Sequence, residues 1–101
     1  MSKYRRAAKV DKNQASIVDA LRKIPGVSAE VGHDDILVGV AGKTLWFELK
    51  TPDAVSPVTG EVRPSELKQS QKDLLKNWTG HYQVVWNIDQ ILETINKLKE
   101  G

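Results

Sequence analysis

The sequence contains no cysteine, a single methionine and no uninterrupted apolar segment near the roughly 20 residues that span a bilayer. Without cysteine, a disulfide-stabilised scaffold and a thiolate metal site are excluded, and the composition suits a reducing compartment. No signal peptide is visible either. We therefore expect a soluble, cytoplasmic protein, and 101 residues predict one domain with a modest core.

The formal net charge is only +2, so its distribution is more informative than its size. Basic side chains crowd the N-terminus, where Asp11 is the only acid: Lys3, Arg5, Arg6, Lys9 and Lys12. We interpret residues 1–11 as a basic N-terminal arm and residues 12–101 as the single domain. Such an arm can neutralise phosphates, although many basic tails are only solubilising, and the sequence does not choose between these interpretations.

Two short apolar segments separated by a glycine predict a β-hairpin in residues 35–50. If Ala41 and Gly42 form a two-residue turn, Asp35 lies opposite Glu48. If the turn is one residue later, Asp35 lies opposite Lys50 instead. In either register the three side chains share one face, because side chains alternate along a strand, whereas a three-residue turn would break the match unless a bulge restored it.

Two carboxylates held together repel each other by roughly 1 to 4 kcal/mol at about 4 Å, depending on the effective dielectric. A divalent cation reverses the sign of that interaction, and Mg²⁺ favours one or two carboxylates together with water and substrate phosphate oxygens. Asp35 and Glu48 are therefore a candidate metal site with Lys50 beside it. The plainer interpretation is that Glu48 and Lys50 are only the polar end of a strand.

Hydrophobic periodicity and capping signals predict the other elements. They are a helix over 12–23 with an Asp11–Gln14 capping box, strands over 27–31 and 82–87, a helix over 65–77 and a final helix that begins at an Asn87–Gln90 capping box. The element order predicts an α/β sandwich on one mixed sheet. Glu30, near the end of the first strand, could point at the acidic cluster.

The second predicted helix carries a polar residue on its apolar stripe. Gln71 lies among Leu67, Leu74, Leu75 and Trp78, so it faces either a polar pocket or a neighbouring backbone group. The other flank carries Lys68, Lys72 and Lys76, which form either a basic ridge for DNA or a solvated face. The long segment before this helix contains a predicted turn over 58–62, which is either a projecting contact or a mobile loop. We interpret Trp46, Trp78 and Trp86 as core anchors rather than base-stacking platforms.

These features together resemble the PD-(D/E)XK nuclease superfamily, which has an αβββαβ core. Within it the chain is similar to the small stand-alone VRR-NUC proteins of phages and prophages. The matching stretches, which cover nearly the whole chain, are R-R-A-A-K-V-D at 5–11, N-Q at 13–14, G-H-D-D-I-L-V-G at 32–39, E-L-K at 48–50, and the segment from Leu67 through Gln71 to Trp78 and Gly80.

The resemblance implies a restriction-endonuclease-like fold and a set of site residues. Asp35, Glu48, Lys50 and Gln71 match the catalytic positions, and the Leu49 carbonyl joins the two carboxylates as a ligand of Mg²⁺, for which Mn²⁺ can substitute. Two positions depart from the family pattern. Asp34 replaces the usual proline and adds a carboxylate, and Ser16 replaces a glutamate of many relatives, with Gln14 the nearest substitute.

The resemblance further implies a metal-dependent, structure-specific DNA endonuclease, a homodimeric Holliday (four-way) junction resolvase in a bacterial cell or a phage-infected host. Symmetric relatives pair two active sites with two related strands. Two alternatives stay open. One is a nuclease for flaps, nicks or duplex DNA, and the other is a non-catalytic DNA-binding phage protein.

Overall fold

The computed structural model describes residues 14–32 and 35–100. Its elements in chain order are helix α1 (residues 14–22), strands β1 (Val27–Val31), β2 (Asp35–Val40) and β3 (Lys43–Leu49), helix α2 (Gln69–Asn77), strand β4 (Tyr82–Val85) and helix α3 (Ile88–Glu100). The sheet order is β1-β2-β3-β4. The first three strands are antiparallel neighbours and β4 runs parallel to β3, so the predicted mixed four-stranded α/β fold is confirmed.

The turn between β2 and β3 decides the register of the whole site. Ala41 and Gly42 both have positive φ, 54° and 75°, which is the geometry of the two-residue turns that best match strand twist. Val40 therefore pairs with Lys43 and Asp35 pairs with Glu48. Of the two predicted registers, the first is confirmed.

One face of the sheet forms the hydrophobic core. Ile36, Val38 and Phe47 point to it from the central strands and are fully buried. Helices α1 and α3 cover this face, and their contributions belong to the same cluster: Ile17, Val18 and Leu21 from α1, with Ile91 and Ile95 from α3. Since side chains alternate along a strand, Asp35 and Glu48 must lie on the opposite face.

The last helix agrees closely with its predicted signals. The Gln90 backbone N–H donates to Asn87 Oδ1 at 3.0 Å, and the Asn87 N–H donates to Gln90 Oε1 at 3.1 Å, which is a reciprocal capping box. The first predicted capping box and the start of its helix involve Asp11 and Lys12, which lie outside the described residues.

The predicted start of the second helix is wrong by four residues. Pro64–Glu66 form a separate 3₁₀ turn, and the backbone at Leu67 and Lys68 is extended before α2 begins at Gln69. The cap explains the later start, because Gln71 Oε1 accepts a hydrogen bond from the Lys68 backbone N–H at 2.9 Å. This side-chain acceptor satisfies an N–H group at the helix start and favours Lys68 over Ser65 as the boundary.

The predicted inward stripe of α2 is wrong for two residues. Leu75 is 46% exposed and Trp78 is 51% exposed, so neither is a core residue. Helix α2 lies on the Asp35 face, against β4, which is an edge strand. Within β4 only Val85 is buried, and the expectation of a buried fourth strand is wrong for the same reason. An edge strand offers the helix one row of partners, which is too narrow to bury a full apolar stripe.

The segment between β3 and α2 forms a small hairpin of its own. Val55 and Val62 form an antiparallel bridge, and Ser56 Oγ accepts hydrogen bonds from the backbone N–H groups of Val58 and Thr59. The predicted turn over 58–62 is thus present as an organised loop, and Val58 at its end is 91% exposed. None of the helices in the described part of the chain has the length and apolar composition needed to cross a membrane.

Candidate metal and phosphate site

Asp35 and Glu48 are cross-strand partners at the end of the β2–β3 hairpin. Directly opposed side chains on one face of a sheet have Cβ atoms about 4.5–5.5 Å apart, so the two carboxylates are neighbours. Glu48 is 5% exposed and Asp35 is half-buried. A buried carboxylate next to a second carboxylate is costly unless hydrogen bonds or a cation compensate for the charge.

Each carboxylate receives a hydrogen bond from an aromatic side chain. Trp46 Nε1 donates to Asp35 Oδ2 at 2.8 Å, and the Tyr82 hydroxyl donates to Glu48 Oε1 at 3.3 Å. Both donors reach their acceptors diagonally across neighbouring strands, a distance that long aromatic side chains can span. The rings of Trp46 and Tyr82 also pack edge to face, with centroids 4.8 Å apart, so the two donors support each other.

The electrostatics of Tyr82 report the negative charge of the pair. Burial is the main cause of a pKa raised well above the usual value for tyrosine, and the charges of Glu48 and Asp35 together with the hydrogen bond to Glu48 add to it. A hydroxyl that responds to both carboxylates lies within the field of both. Tyr82 therefore stays protonated as a donor at physiological pH, and its hydroxyl lies beside the pair of carboxylates that could attract a cation.

Two residues that precede Asp35 in the chain form hydrogen bonds with its backbone carbonyl. The Asp35 carbonyl accepts hydrogen bonds from the Gly32 backbone N–H at 2.9 Å and from Gln14 Nε2 at 3.1 Å. Gly32 also leaves space for the side chain, since a Cβ at this position would overlap Asp35 Oδ1. Gln14, predicted as an accessory residue, thus contacts the Asp35 backbone, and Gly32 leaves room where the carboxylate passes close to the chain.

Lys50 follows β3 directly. Its backbone N–H donates to the Val85 carbonyl at 2.9 Å, which extends the pairing of β3 with β4 by one residue. Strand alternation then places Lys50 on the same face as Glu48. Leu49 is the last residue of β3, so its carbonyl group lies at the strand end that carries the site.

Two other predicted residues have different immediate partners. Gln71 is buried, and its side-chain oxygen caps α2 through Lys68, which accounts for a polar residue on this stripe. Glu30 is exposed and pairs across strands with Leu37, and its charged neighbour is Arg22, with Nη2 3.9 Å from Oε2.

The remaining predicted site residues divide into two groups. The lysines of the second helix, Lys68, Lys72 and Lys76, are all exposed. Asp34 and the arm residues Lys3, Arg5, Arg6 and Lys9 lie outside the described residues 14–32 and 35–100. Ser16 belongs to α1 and is exposed.

Trp46 and Tyr82 are parts of the site that were not predicted from the sequence. A signal for Trp46 was available, because it lies two residues before Glu48 and alternation puts both on one face. Tyr82 could not be found in this way. Its position beside Trp46 depends on the parallel register of β4, which pairs Trp46 with Tyr82 through a long crossover.

A histidine supports Trp46 from the chain before β4. The Trp46 backbone N–H donates to His81 Nδ1 at 3.1 Å, so this nitrogen carries no proton and the Nε2–H tautomer is present. Nε2 lies 3.1 Å from Gln83 Oε1, which also accepts a hydrogen bond from the Thr94 hydroxyl. A polar chain from α3 to β3 therefore holds the segment that carries the indole.

The donor set fits a hard divalent cation with few protein ligands. Among residues 14–32 and 35–100, no group of three or more histidine, cysteine, aspartate or glutamate side chains is placed to hold a metal ion. Two carboxylates and a nearby backbone carbonyl are nevertheless the kind of set that Mg²⁺ uses when water and phosphate oxygens complete its coordination. The arranged carboxylates favour such an ion over a closed structural site.

Comparison of the chain with protein-family models, with curated proteins and with solved structures finds no match. The resemblance to VRR-NUC proteins therefore stays a prediction from the residues quoted above.

Proposed function

We propose that this protein is a Mg²⁺-dependent DNA endonuclease. The observation that carries the proposal is the register of the β2–β3 hairpin, which places Asp35 opposite Glu48 at the strand end where Lys50 follows. Two carboxylates and a lysine at one strand end are suited to a reaction in which a metal-activated water attacks a phosphodiester.

Asp35, Glu48 and the Leu49 carbonyl would hold the metal ion. A bound Mg²⁺ lowers the pKa of a coordinated water and neutralises charge on the phosphate. The chain supplies the geometry, because the hydrogen bonds from Trp46 and Tyr82 limit the orientations of the two carboxylates before any ligand arrives. Such preorganisation lowers the cost of assembling the site at the moment of reaction.

Lys50 supplies positive charge on the same face. In this proposal its ammonium group stabilises charge that develops on the phosphate oxygens or orients the attacking water. No covalent intermediate is needed, so a small domain can carry the complete reaction. Gln71 has a structural role as a helix cap, and a catalytic role for it has less support than the roles of Asp35, Glu48 and Lys50.

Branched DNA, and a four-way junction in particular, is the proposed substrate, with a homodimer as the active form. Asp35 is half-buried on the face where α2 packs, so a large ligand can approach it, and the exposed Lys68, Lys72 and Lys76 can neutralise phosphates. A surface for a second copy is available beside the edge strand β4, where Leu75, Tyr82, Val84 and Trp86 line a groove of about 320 Å³.

Cleavage of labelled four-way junction, flap and linear duplex DNA, with Mg²⁺, Mn²⁺ or EDTA, tests the proposal. We expect divalent-ion-dependent cleavage, greatest on the junction, and loss of at least about 100-fold in Glu48→Ala. Glu30→Ala is the matched control, because Glu30 is an exposed acid on the same sheet face and pairs with Leu37 rather than with Asp35. Light scattering measures whether the active form is a dimer.

The outcomes separate the alternatives. Cleavage of flaps or duplex in preference to junctions would support the proposed nuclease activity but assign it a different DNA substrate. Binding of DNA without cleavage under any of these metal conditions indicates a non-catalytic DNA-binding protein. Equal activity of wild type and Glu48→Ala means that the activity comes from a contaminating nuclease, and the proposal is then withdrawn.

A further inference from the structure

Trp78 contacts the ring of Trp46, which binds Asp35, and is half exposed. Its ring packs edge to face on Trp46, with centroids 5.3 Å apart and planes at 89°, and Trp46 in turn donates to Asp35. Its Nε1 lies close to Gly80, where a Cβ would come within 2.9 Å of it. The indole is thus oriented by its neighbours, yet 51% of the residue remains accessible.

The exposed indole borders an open, shallow cavity on the surface of α2 that also contains polar groups. The cavity has a volume of about 440 Å³ and is lined by Ser70, Asp73, Leu74, Asn77 and Trp78. Ser70 and Asn77 can both donate and accept hydrogen bonds, and Asp73 can accept them. Asp73 Oδ1 already accepts one from Gln69 Nε2 at 3.0 Å, which fixes the side of α2 on which the carboxylate lies. An aromatic plane with donors and acceptors around it matches a planar heterocycle better than an aliphatic or peptide ligand.

We propose that Trp78 and this cavity bind an unpaired nucleobase of the DNA substrate, with the base stacked on the indole and its edge facing Asn77 and Asp73. The inference deepens the proposed function and rests on it for the presence of DNA. A base in this position would come from a strand whose phosphate is next to Asp35, because Trp46 contacts both Trp78 and Asp35. The site thereby selects DNA that has unpaired nucleotides, such as branch points and single-stranded ends.

The lysines of α2 are distinct from this pocket. At 100° per residue, Lys72 and Lys76 are centred about 110° around the helix from Ser70, Asp73 and Asn77, and Lys68 is the extended residue before the helix. They can contribute to phosphate binding in general, but they do not line the cavity. The two groups of residues predict separable effects. Lysine substitutions should change the salt dependence of DNA binding, and Trp78 substitutions should change the preference for DNA that carries unpaired bases.

Binding measured without divalent metal tests the inference independently of catalysis. The probes are two fluorescein-labelled duplexes with a short single-stranded end, one with thymines in that end and one with abasic residues, so that both have the same number of phosphates. Stacking on an aromatic side chain is worth about 5- to 150-fold in affinity. We therefore expect wild type to prefer the thymine probe by at least about fivefold in fluorescence anisotropy.

Trp78→Ala should reduce this preference to near unity while leaving binding of the abasic probe unchanged, and Trp78→Phe should retain part of it. Val31→Ala is the matched control, because Val31 is an apolar residue that is 50% exposed, as Trp78 is, but lies on β1 at the opposite edge of the sheet from β4 and lines neither groove. It should retain the full preference. Circular dichroism of each variant checks that the fold is intact.

Three results would overturn the inference: no binding of either probe, no preference in wild type, or the same preference in Trp78→Ala as in wild type. A change in oligomeric mass on Trp78→Ala, with no base preference, would assign this surface to a second copy of the chain instead. Base preference in a protein that cuts no DNA would retain the pocket and remove the nuclease. Cleavage of DNA without base preference would retain the nuclease and remove the pocket.

Discussion

Gly32→Ala is a substitution whose effect can be worked out from the structure. A Cβ at this position would overlap Asp35 Oδ1 and lie 2.8 Å from Asp35 Cγ. Non-bonded carbon atoms prefer about 3.5–4.0 Å, so the carboxylate must move by about 1 Å. The backbone of Gly32 does not need positive φ, unlike Gly26, Gly42 and Gly60, so alanine is tolerated apart from this contact.

The displacement should affect function more than stability. Moving the carboxylate breaks its 2.8 Å hydrogen bond from Trp46 Nε1, and a hydrogen bond to a charged group is worth about 1.5–3 kcal/mol. Replacing glycine by alanine reduces the conformational entropy of the unfolded chain, which stabilises the folded state by about 0.4–1 kcal/mol. The net loss of folding free energy is therefore about 0.5–2.5 kcal/mol. A 1 Å displacement of a reacting group can, by contrast, lower a rate by about 100-fold.

Gly39→Ala provides the matched control. Gly39 lies in the same strand as Asp35, and a Cβ there would meet Ser28 Cβ at an ordinary contact distance of 3.7 Å. We expect Gly39→Ala to resemble wild type in Mg²⁺-dependent cleavage, Mn²⁺ binding by calorimetry and thermal melting. Gly32→Ala should lose cleavage and metal affinity.

The indole N–H resonance of Trp46 gives a readout independent of activity. In ¹H–¹⁵N NMR spectra it should shift in Gly32→Ala and stay unchanged in Gly39→Ala. If Gly32→Ala leaves both this resonance and metal affinity at wild-type values, the packing of Asp35 against Gly32 is wrong and so is the site built on it.

Three further predictions concern other contacts. Trp46→Phe should weaken Mn²⁺ binding by about tenfold through loss of the donor to Asp35, measured by calorimetry; unchanged affinity would refute a positioning role for the indole. Because the pKa of Tyr82 is raised in the folded state, its contribution to stability is complete below about pH 10 and is lost as the pH rises towards that folded pKa. Urea melts should thus show wild type losing more stability than Tyr82→Phe above about pH 10, and parallel curves would contradict the assignment. Ile91→Ala, at a residue with no exposed surface, should cost about 2–5 kcal/mol in urea unfolding, and a cost below about 1 kcal/mol would show that α3 is not part of the core.

The sequence alone determined the local structure of the site. The Ala41–Gly42 turn limits the β2–β3 hairpin to a few registers, and alternation then places Asp35, Glu48 and Lys50 on one face in each register that was considered. The capping box at Asn87 and the apolar stripe of α3 were likewise predictable. These features depend on residues close together in the chain, whose geometry follows from backbone conformation and periodicity.

Only the tertiary structure decided which residues surround the carboxylates. Tyr82 reaches Glu48 through the parallel pairing of β4 with β3 across more than thirty residues of intervening chain, and no local pattern encodes that register. The exposure of Trp78 likewise depends on tertiary packing rather than on local sequence. Helix periodicity put it on the apolar stripe of α2, but the helix packs on an edge strand that is too narrow to cover it. Burial is a property of the partner surface as well as of the helix, and that surface exists only once the chain has folded.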